Sequence, residues 1–205
     1  MLPLVSPTSS GPRGPHGKPA ARRDALARRD ALPATDRAAA SAQIATTAAQ
    51  LLADRLPAGA VIALYAAKGS EVDTAPLDAA LRARGFAIAY PRVVAGERVL
   101  ALHAAVPAEL VPAGRLHLHE PLATAPALAP SEIAAFCLPG LAFDRTGGRI
   151  GWGLGHYDAT LAAAPTALRL GLAFDAQLVA SVPREPHDIP LHALVTETGA
   201  FEVGA

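Results

Sequence analysis

Residues 133–164 read IAAFCLPGLAFDRTGGRIGWGLGHYDATLAAA, and this stretch decides the fold. IAAFCLPG, at 133–140, is a short apolar run closed by Pro-Gly, the pattern of a buried strand. Glycines follow at 147, 148, 151, 153 and 155, and then YDATLAAA at 157–164 has the composition of a helix. Strand, glycine-rich loop and helix in that order belong to an α/β sheet with parallel strands. Ligands bind such sheets beyond the carboxyl ends of the strands. A glycine loop there lets backbone N–H groups approach an anion, and the following helix start adds partial positive charge. Arg149 supplies a fixed cation with bidentate geometry for a phosphate. Asp158 follows directly, where a carboxylate can hold Mg²⁺ on a nucleotide. The loop is not a Walker A motif, because GxxxxGK[ST] is absent. Gly151, Gly153 and Gly155 give GxGxG, which is not a dinucleotide fingerprint either.

Outward from this stretch the same alternation continues. Toward the N-terminus, KPAARRDALARRDAL at 18–32 reads as a basic helix with Pro19 in its first turn. A second helix is predicted over 36–56, with Thr35 as N-cap and Ile44, Ala48, Leu51, Leu52 and Leu56 on one face. AVIALYA (60–66), FAIAY (86–90) and VLALH (99–103) read as strands, with a helix over 75–84 capped by Thr74. Residues 104–131, rich in Pro and Ala, read as irregular connection. Toward the C-terminus, ALRLGLAF (167–174) and LHALVTET (191–198) read as strands, with a short helix capped by Asp175 between them. The expected architecture is one α/β domain over 18–205 with a largely parallel sheet. Residues 1–17, rich in Pro, Gly and Ser, are expected to form a flexible extension.

Composition narrows the function classes. The chain has 205 residues, 51% of them hydrophobic, and 18 Lys+Arg balance 18 Asp+Glu. Zero net charge with 4% aromatic residues argues against nucleic-acid binding. No run approaches the 18 apolar residues of a membrane span, and the N-terminus lacks a secretory pattern. A single cysteine, Cys137, makes no internal disulfide and reads as a small buried apolar residue. These features give an expectation of a soluble cytoplasmic protein; a monomer is expected as well, though not from these features. Of the 18 basic residues only Lys18 and Lys68 are lysines. Residues 1–37 hold seven basic residues against three Asp, so the neutral total conceals a basic N-terminal helix.

Three further clusters bear on chemistry. GSEVDT, at 69–74, follows the strand AVIALYA, so Glu71 can point into the same crevice as the glycine loop, or the segment is an ordinary helix entry. HDIP, at 187–190, offers Asp188 as a second metal carboxylate or as a solvated loop residue. Lys18 and Arg22 share a helical face at i,i+4 and can clamp a polyphosphate, or they lie on a solvated helix paired with Asp. His117 and His119, beside Glu120, form an HxH read here as a surface loop, because no further ligand spacing supports a metal site.

Together these segments resemble the 5-formyltetrahydrofolate cyclo-ligase family over about residues 18–198. KPAARRDALARRDALPATDRAAAS resembles its N-terminal Lys-x-x-x-Arg helix, and GSEVDT its Glu-[Ile/Val]-x-Thr segment. PGLAFDRTGGRIGWGLGHYD resembles its most specific motif, PGxxFD followed by RxGxGxGYYD. HDIPLHALVTE resembles its C-terminal tail. The resemblance implies a three-layer α/β/α sandwich. It implies an ATP- and Mg²⁺-dependent conversion of 5-formyltetrahydrofolate, a reduced folate, into 5,10-methenyltetrahydrofolate, with release of ADP and phosphate. Lys18, Arg22, Arg149, Gly151, Trp152, Gly153, Leu154, Gly155, His156 and Tyr157 would bind ATP, with Arg149 and Tyr157 at the reacting groups. Ala66, Glu71, Trp152 and His156 would bind the folate, and Asp158 and Asp188 would hold Mg²⁺. His156 stands where the family has the first tyrosine of GYYD, and Leu154 where Gly or Lys is frequent. The alternatives are a non-catalytic folate- or nucleotide-binding relative, and an ATP-dependent enzyme acting on another N-formyl compound.

Overall fold

The computed structural model describes residues 18–114 and 118–203; the expected extension over 1–17 lies outside them. The helices are α1 (Lys18–Asp30), α2 (Ala34–Arg55), α3 (Ala75–Ala83) and α4 (His156–Ala162). The strands are β1 (Val61–Ala63), β2 (Ala87–Arg92), β3 (Ala101–Ala104), β4 (Val111–Ala113), β5 (Leu118–Glu120) and β6 (Ala127–Leu128), followed by β7 (Ile133–Leu138), β8 (Ala142–Phe143), β9 (Arg149–Ile150), β10 (Leu168–Leu172), β11 (Ala193–Thr196) and β12 (Gly199–Glu202). Eight strands form one sheet in the order β12-β11-β10-β7-β1-β2-β3-β6. The neighbours from β11 across to β2 are parallel, and the antiparallel pairs lie at the two edges.

Side chains alternate across this sheet, as the period of two requires. Ala135 and Cys137 of β7, Leu170 and Leu172 of β10, and Val195 of β11 pack with Ile44, Ala48 and Leu52 of α2 and Leu77 and Leu81 of α3. Phe136 and Leu138 of β7 and Leu194 of β11 face the other way, against Leu161 of α4 and Phe143. The result is a three-layer α/β/α arrangement with a mainly parallel sheet. Ala25 of α1 joins a smaller apolar cluster with Leu141, Ala142, Ile150 and Val182, which docks α1 on the β8–β9 hairpin.

The order of the strands places the site. From β1 the chain moves to β2, β3 and β6 on one side, then returns to β7 on the other side and continues to β10 and β11. The turns leaving β1 and β7 therefore diverge at the centre of the sheet, and a crevice opens at their carboxyl ends.

Several boundaries differ from the sequence reading for local reasons. β1 is only three residues long, although the Leu64 N–H still donates to the Ala89 carbonyl at 2.9 Å, and Tyr65 and Ala66 beyond it line the crevice. β7 stops at Leu138, since Pro139 has no N–H for the ladder. α2 begins at Ala34 after Pro33, and Thr35 does not cap it; the Thr35 hydroxyl donates to Asp36 Oδ1 at 3.2 Å. Thr74 occupies the N-cap of α3, but its hydroxyl donates to the Tyr65 carbonyl at 2.6 Å, and Asp73 Oδ1 accepts from Ala75 N–H instead. The helix expected after Asp175 is a single 3₁₀ turn, Asp175–Gln177. Residues 104–131 are not irregular throughout: β4 and β5 form a small hairpin, and β6 adds to the sheet edge. β12 extends the C-terminal strand as a hairpin.

Candidate active site

The turn after β1 carries Lys68 to Glu71, and the turn after β7 is Pro139–Gly140. Between them lies a cavity of about 560 Å³. Its other walls come from α1, the β9–α4 glycine loop, the β5 strand and the loop over 185–188. All fourteen residues expected at the site line it: Lys18, Arg22, Ala66, Glu71, Arg149, Gly151 to Asp158 in turn, and Asp188. The volume lies in the range of small-molecule sites, and the lining mixes apolar surface with many charged side chains of both signs.

Arg149, Arg22 and Lys18 are three of the cations that line the cavity. Arg149 leaves β9 with its side chain 7% exposed. Its contacts are long, 3.4 Å from Nη1 to the Pro139 carbonyl and 3.5 Å from Nη2 to Asp158 Oδ1. Its Nε is buried and has no hydrogen-bond partner among the described residues. The guanidinium also lies 5.4 Å from the centre of the Tyr157 ring. Arg22 donates from Nε to the Gly151 carbonyl at 3.0 Å and lies flat on the loop. A Cβ at Gly153 would meet its Nη2 at 2.7 Å, which the Arg22 side chain can yield to, but Gly153 has φ +89°, so the backbone calls for glycine there. Lys18 Nζ sits 3.0 Å from Glu185 Oε2 and 3.0 Å from Asp188 Oδ2. Burial alone would lower the pKa of Lys18, but the bonds and charges of these two carboxylates outweigh it and raise it. Asp188 shows the converse: burial pushes its pKa up, while the Glu185 N–H and Lys18 pull it lower overall.

Glu71 also lines the cavity, its side chain 9% exposed. Burial raises its pKa, against the Lys68 N–H bond at 3.0 Å, the charge of Arg29 and a hydrogen bond from Trp152. Tyr157 is likewise pushed up, first by burial and then by the charge of Glu71. Trp152 and Leu154 are 57% and 56% exposed, unusual for large apolar residues, and both line the cavity. His156 Nδ1 lies 3.0 Å from the Arg98 carbonyl, which ties the loop to the β2–β3 connection.

The oxygen donors fit a hard divalent cation such as Mg²⁺. Asp158 and Asp188 both face the cavity, and each already neutralises a cation, Arg149 and Lys18 respectively. Glu185, His187 and Asp188 bring one ligand atom each within 4.8 Å of one another; Asp158 is not part of that group.

The family model of the 5-formyltetrahydrofolate cyclo-ligase family matches residues 15–197. The chain belongs to this family. It is 35% identical over 146 residues to the 5-formyltetrahydrofolate cyclo-ligase of Escherichia coli, covering 69% of this chain and 80% of that protein. Among solved structures it is similar to a 5,10-methenyltetrahydrofolate synthetase from Aquifex aeolicus, with 28% identity and a TM-score of 0.73 over 92% of this chain and 93% of that one. A synthetase from Mycoplasma pneumoniae, 21% identical, shares the fold with a TM-score of 0.73 over 89% and 99% of the two chains.

Within this cyclo-ligase chain the cavity also holds residues the sequence reading passed over. His119 and Glu120 line it, which corrects the reading of their segment as a surface loop; His117 lies outside the described residues. The cause is the β4–β5 hairpin, which pairs Val111 with Glu120 and turns one edge inward. Glu120 is 4% exposed and accepts from the Val93 N–H at 3.3 Å. Glu185 and His187 were within reach of the sequence reading, since they stand three and one positions before Asp188. Arg29 was hidden in a helix whose basic residues were read as a phosphate clamp or a solvated face. Cys137 behaves as read: it is 1% exposed, and burial pushes its thiol up to about 12. No described helix is long and apolar enough to cross a membrane.

Proposed function

We propose that this protein catalyses the ATP- and Mg²⁺-dependent closure of 5-formyltetrahydrofolate to 5,10-methenyltetrahydrofolate, as a monomer in the cytoplasm. The observation that carries this reading is Arg149: a buried guanidinium with long contacts and an Nε unpartnered among the described residues, lining a cavity that Lys18 and Arg22 also line. Such a group is poised for an anion with several oxygens.

The formyl group is amide-like and a poor electrophile. Its oxygen attacks the γ-phosphorus of ATP, the bond to the ADP oxygen breaks, and ADP leaves. The folate nitrogen at position 10 then attacks the activated formyl carbon and loses its proton. Phosphate departs with the former formyl oxygen, which closes the ring. The chain's part is to align the two substrates and to stabilise phosphoryl charge. Arg149, Lys18 and the N–H groups from Gly151 to Tyr157 hold the phosphates. Ala66, Glu71, Trp152 and His156 hold the folate, with the Trp152 ring available for stacking. Asp158 and Asp188 would hold Mg²⁺, which when bound neutralises charge on the transferred phosphoryl group. Lys18 would then exchange its carboxylate partners for phosphate oxygens. No protein nucleophile is needed, which suits a site whose nearby cysteine is buried as a neutral thiol.

The test is isotopic. 5-Formyltetrahydrofolate labelled with ¹⁸O in the formyl group is incubated with enzyme, ATP and Mg²⁺, and the phosphate released is analysed by mass. One ¹⁸O per phosphate is expected. Unlabelled phosphate accompanied by methenyltetrahydrofolate would overturn the phosphoryl-transfer step, and ATP hydrolysis without the folate product would overturn the substrate assignment.

A further inference from the structure

Arg29 lies at the far end of α1 from Lys18 and is 2% exposed. An arginine is seldom this buried unless its donors are engaged. Its Nε donates to Ser70 Oγ at 2.9 Å, and its Nη1 donates to the Gly140 carbonyl at 3.1 Å. The same Nη1 lies 3.8 Å from Glu71 Oε1. Ser70 in turn donates to Asp30, so two successive residues of α1 grip the turn after β1. The Gly140 carbonyl also accepts from Gln177 Nε2 at 2.8 Å. One guanidinium therefore spans the two turns that diverge at the centre of the sheet. It does so beside the Glu71 carboxylate, on which it acts together with the charge of Lys68 from the same turn.

We infer that Arg29 is a positioning residue for folate binding: from the buried end of α1 it fixes the Glu71 turn against the Pro139–Gly140 turn and supplies the counter-charge of the Glu71 carboxylate. The inference rests on the reading of Glu71 as a folate-binding group. The other groups facing Glu71 are Lys68 on its own turn, Tyr65 at the end of β1, Tyr157 on α4 and the Trp152 indole on the glycine loop. The tyrosines have their pKa values pushed further up and stay neutral. Glu71 itself titrates above its ordinary value because it is buried. Folate binding should therefore fall as the pH drops through that raised value, and removing Arg29 should raise it again.

Trp152 is the only tryptophan of the chain, so its fluorescence in the substrate-free protein reports the Glu71 titration directly. Glu71→Gln should abolish that transition; a transition that persists would remove the contact on which the inference depends. Arg29→Gln should raise the midpoint by about one pH unit, a roughly tenfold change in proton affinity. Arg29→Lys, which keeps the charge but loses the fork, should leave the midpoint near that of the wild type. In turnover, Arg29→Gln should raise KM for 5-formyltetrahydrofolate about tenfold and leave KM for ATP within about twofold. A cooperatively folded Arg29→Gln protein with an unmoved midpoint, or with both KM values raised equally, would overturn the assignment. If Arg29→Gln does not fold, Ser70→Ala replaces it, with an expected rise of about threefold in the folate KM alone; an unchanged folate KM there counts against the proposal. A wild-type protein that binds no folate, yet shows the midpoint shift in Arg29→Gln, would overturn the substrate reading and leave the Arg29–Glu71 coupling standing.

Discussion

Two carboxylates fourteen positions apart in the same glycine-rich stretch have opposite surroundings. Asp144 closes the turn between β8 and β9 and is 1% exposed. It accepts from the N–H groups of Thr146, Gly148 and Val182, from the Thr146 hydroxyl and from Arg184, all between 2.7 and 2.9 Å. Asp158, at the start of α4, has among the described residues only a 3.2 Å bond from the Ile189 N–H and the 3.5 Å contact with Arg149. The turn around Asp144 is saturated and belongs to the scaffold. The loop that follows leaves donors and acceptors underused around a cavity, with Trp152 and Leu154 exposed beside it. Stability is concentrated in the first region and binding capacity in the second, and this division can be tested one residue at a time.

The largest effect should come from the saturated side. Asp144→Ala strips five donors of their acceptor and should cost about 3 kcal/mol of stability by denaturant titration; a loss under about 1 kcal/mol would erase the contrast. Burial opposes ionisation of Asp144, but its hydrogen bonds outweigh burial and lower its pKa below the ordinary 3.8. Its contribution is therefore present above that value and lost as the pH falls through the lower native value, and Asp144→Ala should lack this acid-side loss. On the open side, Arg149→Ala and Asp158→Ala should each slow turnover at least about tenfold while unfolding within about 1 kcal/mol of the wild type; near-normal rates in both would take these residues out of the mechanism. Gly153→Ala places a Cβ against Arg22 at a left-handed φ and should weaken ATP binding about fivefold by calorimetry; unchanged affinity would mean the loop relaxes freely. The smallest effect is expected from His119→Ala, about twofold in folate KM, since the ring is exposed at the rim of the cavity.

The same division explains what could be read from the sequence. The buried strands of the sheet centre announce themselves as apolar runs, and the alternation with helices pointed to an α/β domain with a largely parallel sheet, while the three layers were implied by the family resemblance. Edge elements did not, because β4, β5 and β6 are only two or three residues long, and such strands have no period to detect. The cavity was legible where a motif sat at a strand's carboxyl end: Glu71, Arg149 and Asp158 all came from that rule. His119 and Glu120 were not, because only the tertiary turn of the β4–β5 hairpin brings them in. Arg29 defeated the reading for another reason. Charge run and helical spacing describe a solvated face, and only the docking of α1 across two turns puts one of its arginines in the interior.

The most direct measurement is the rise in absorbance as methenyltetrahydrofolate forms from 5-formyltetrahydrofolate, with purified protein, ATP and Mg²⁺, followed over a range of folate concentrations. A saturable rise that vanishes without ATP is the predicted result. A folded protein that binds the folate and gives no rise at any concentration would contradict it, and would mark this chain as a binding relative within the cyclo-ligase family.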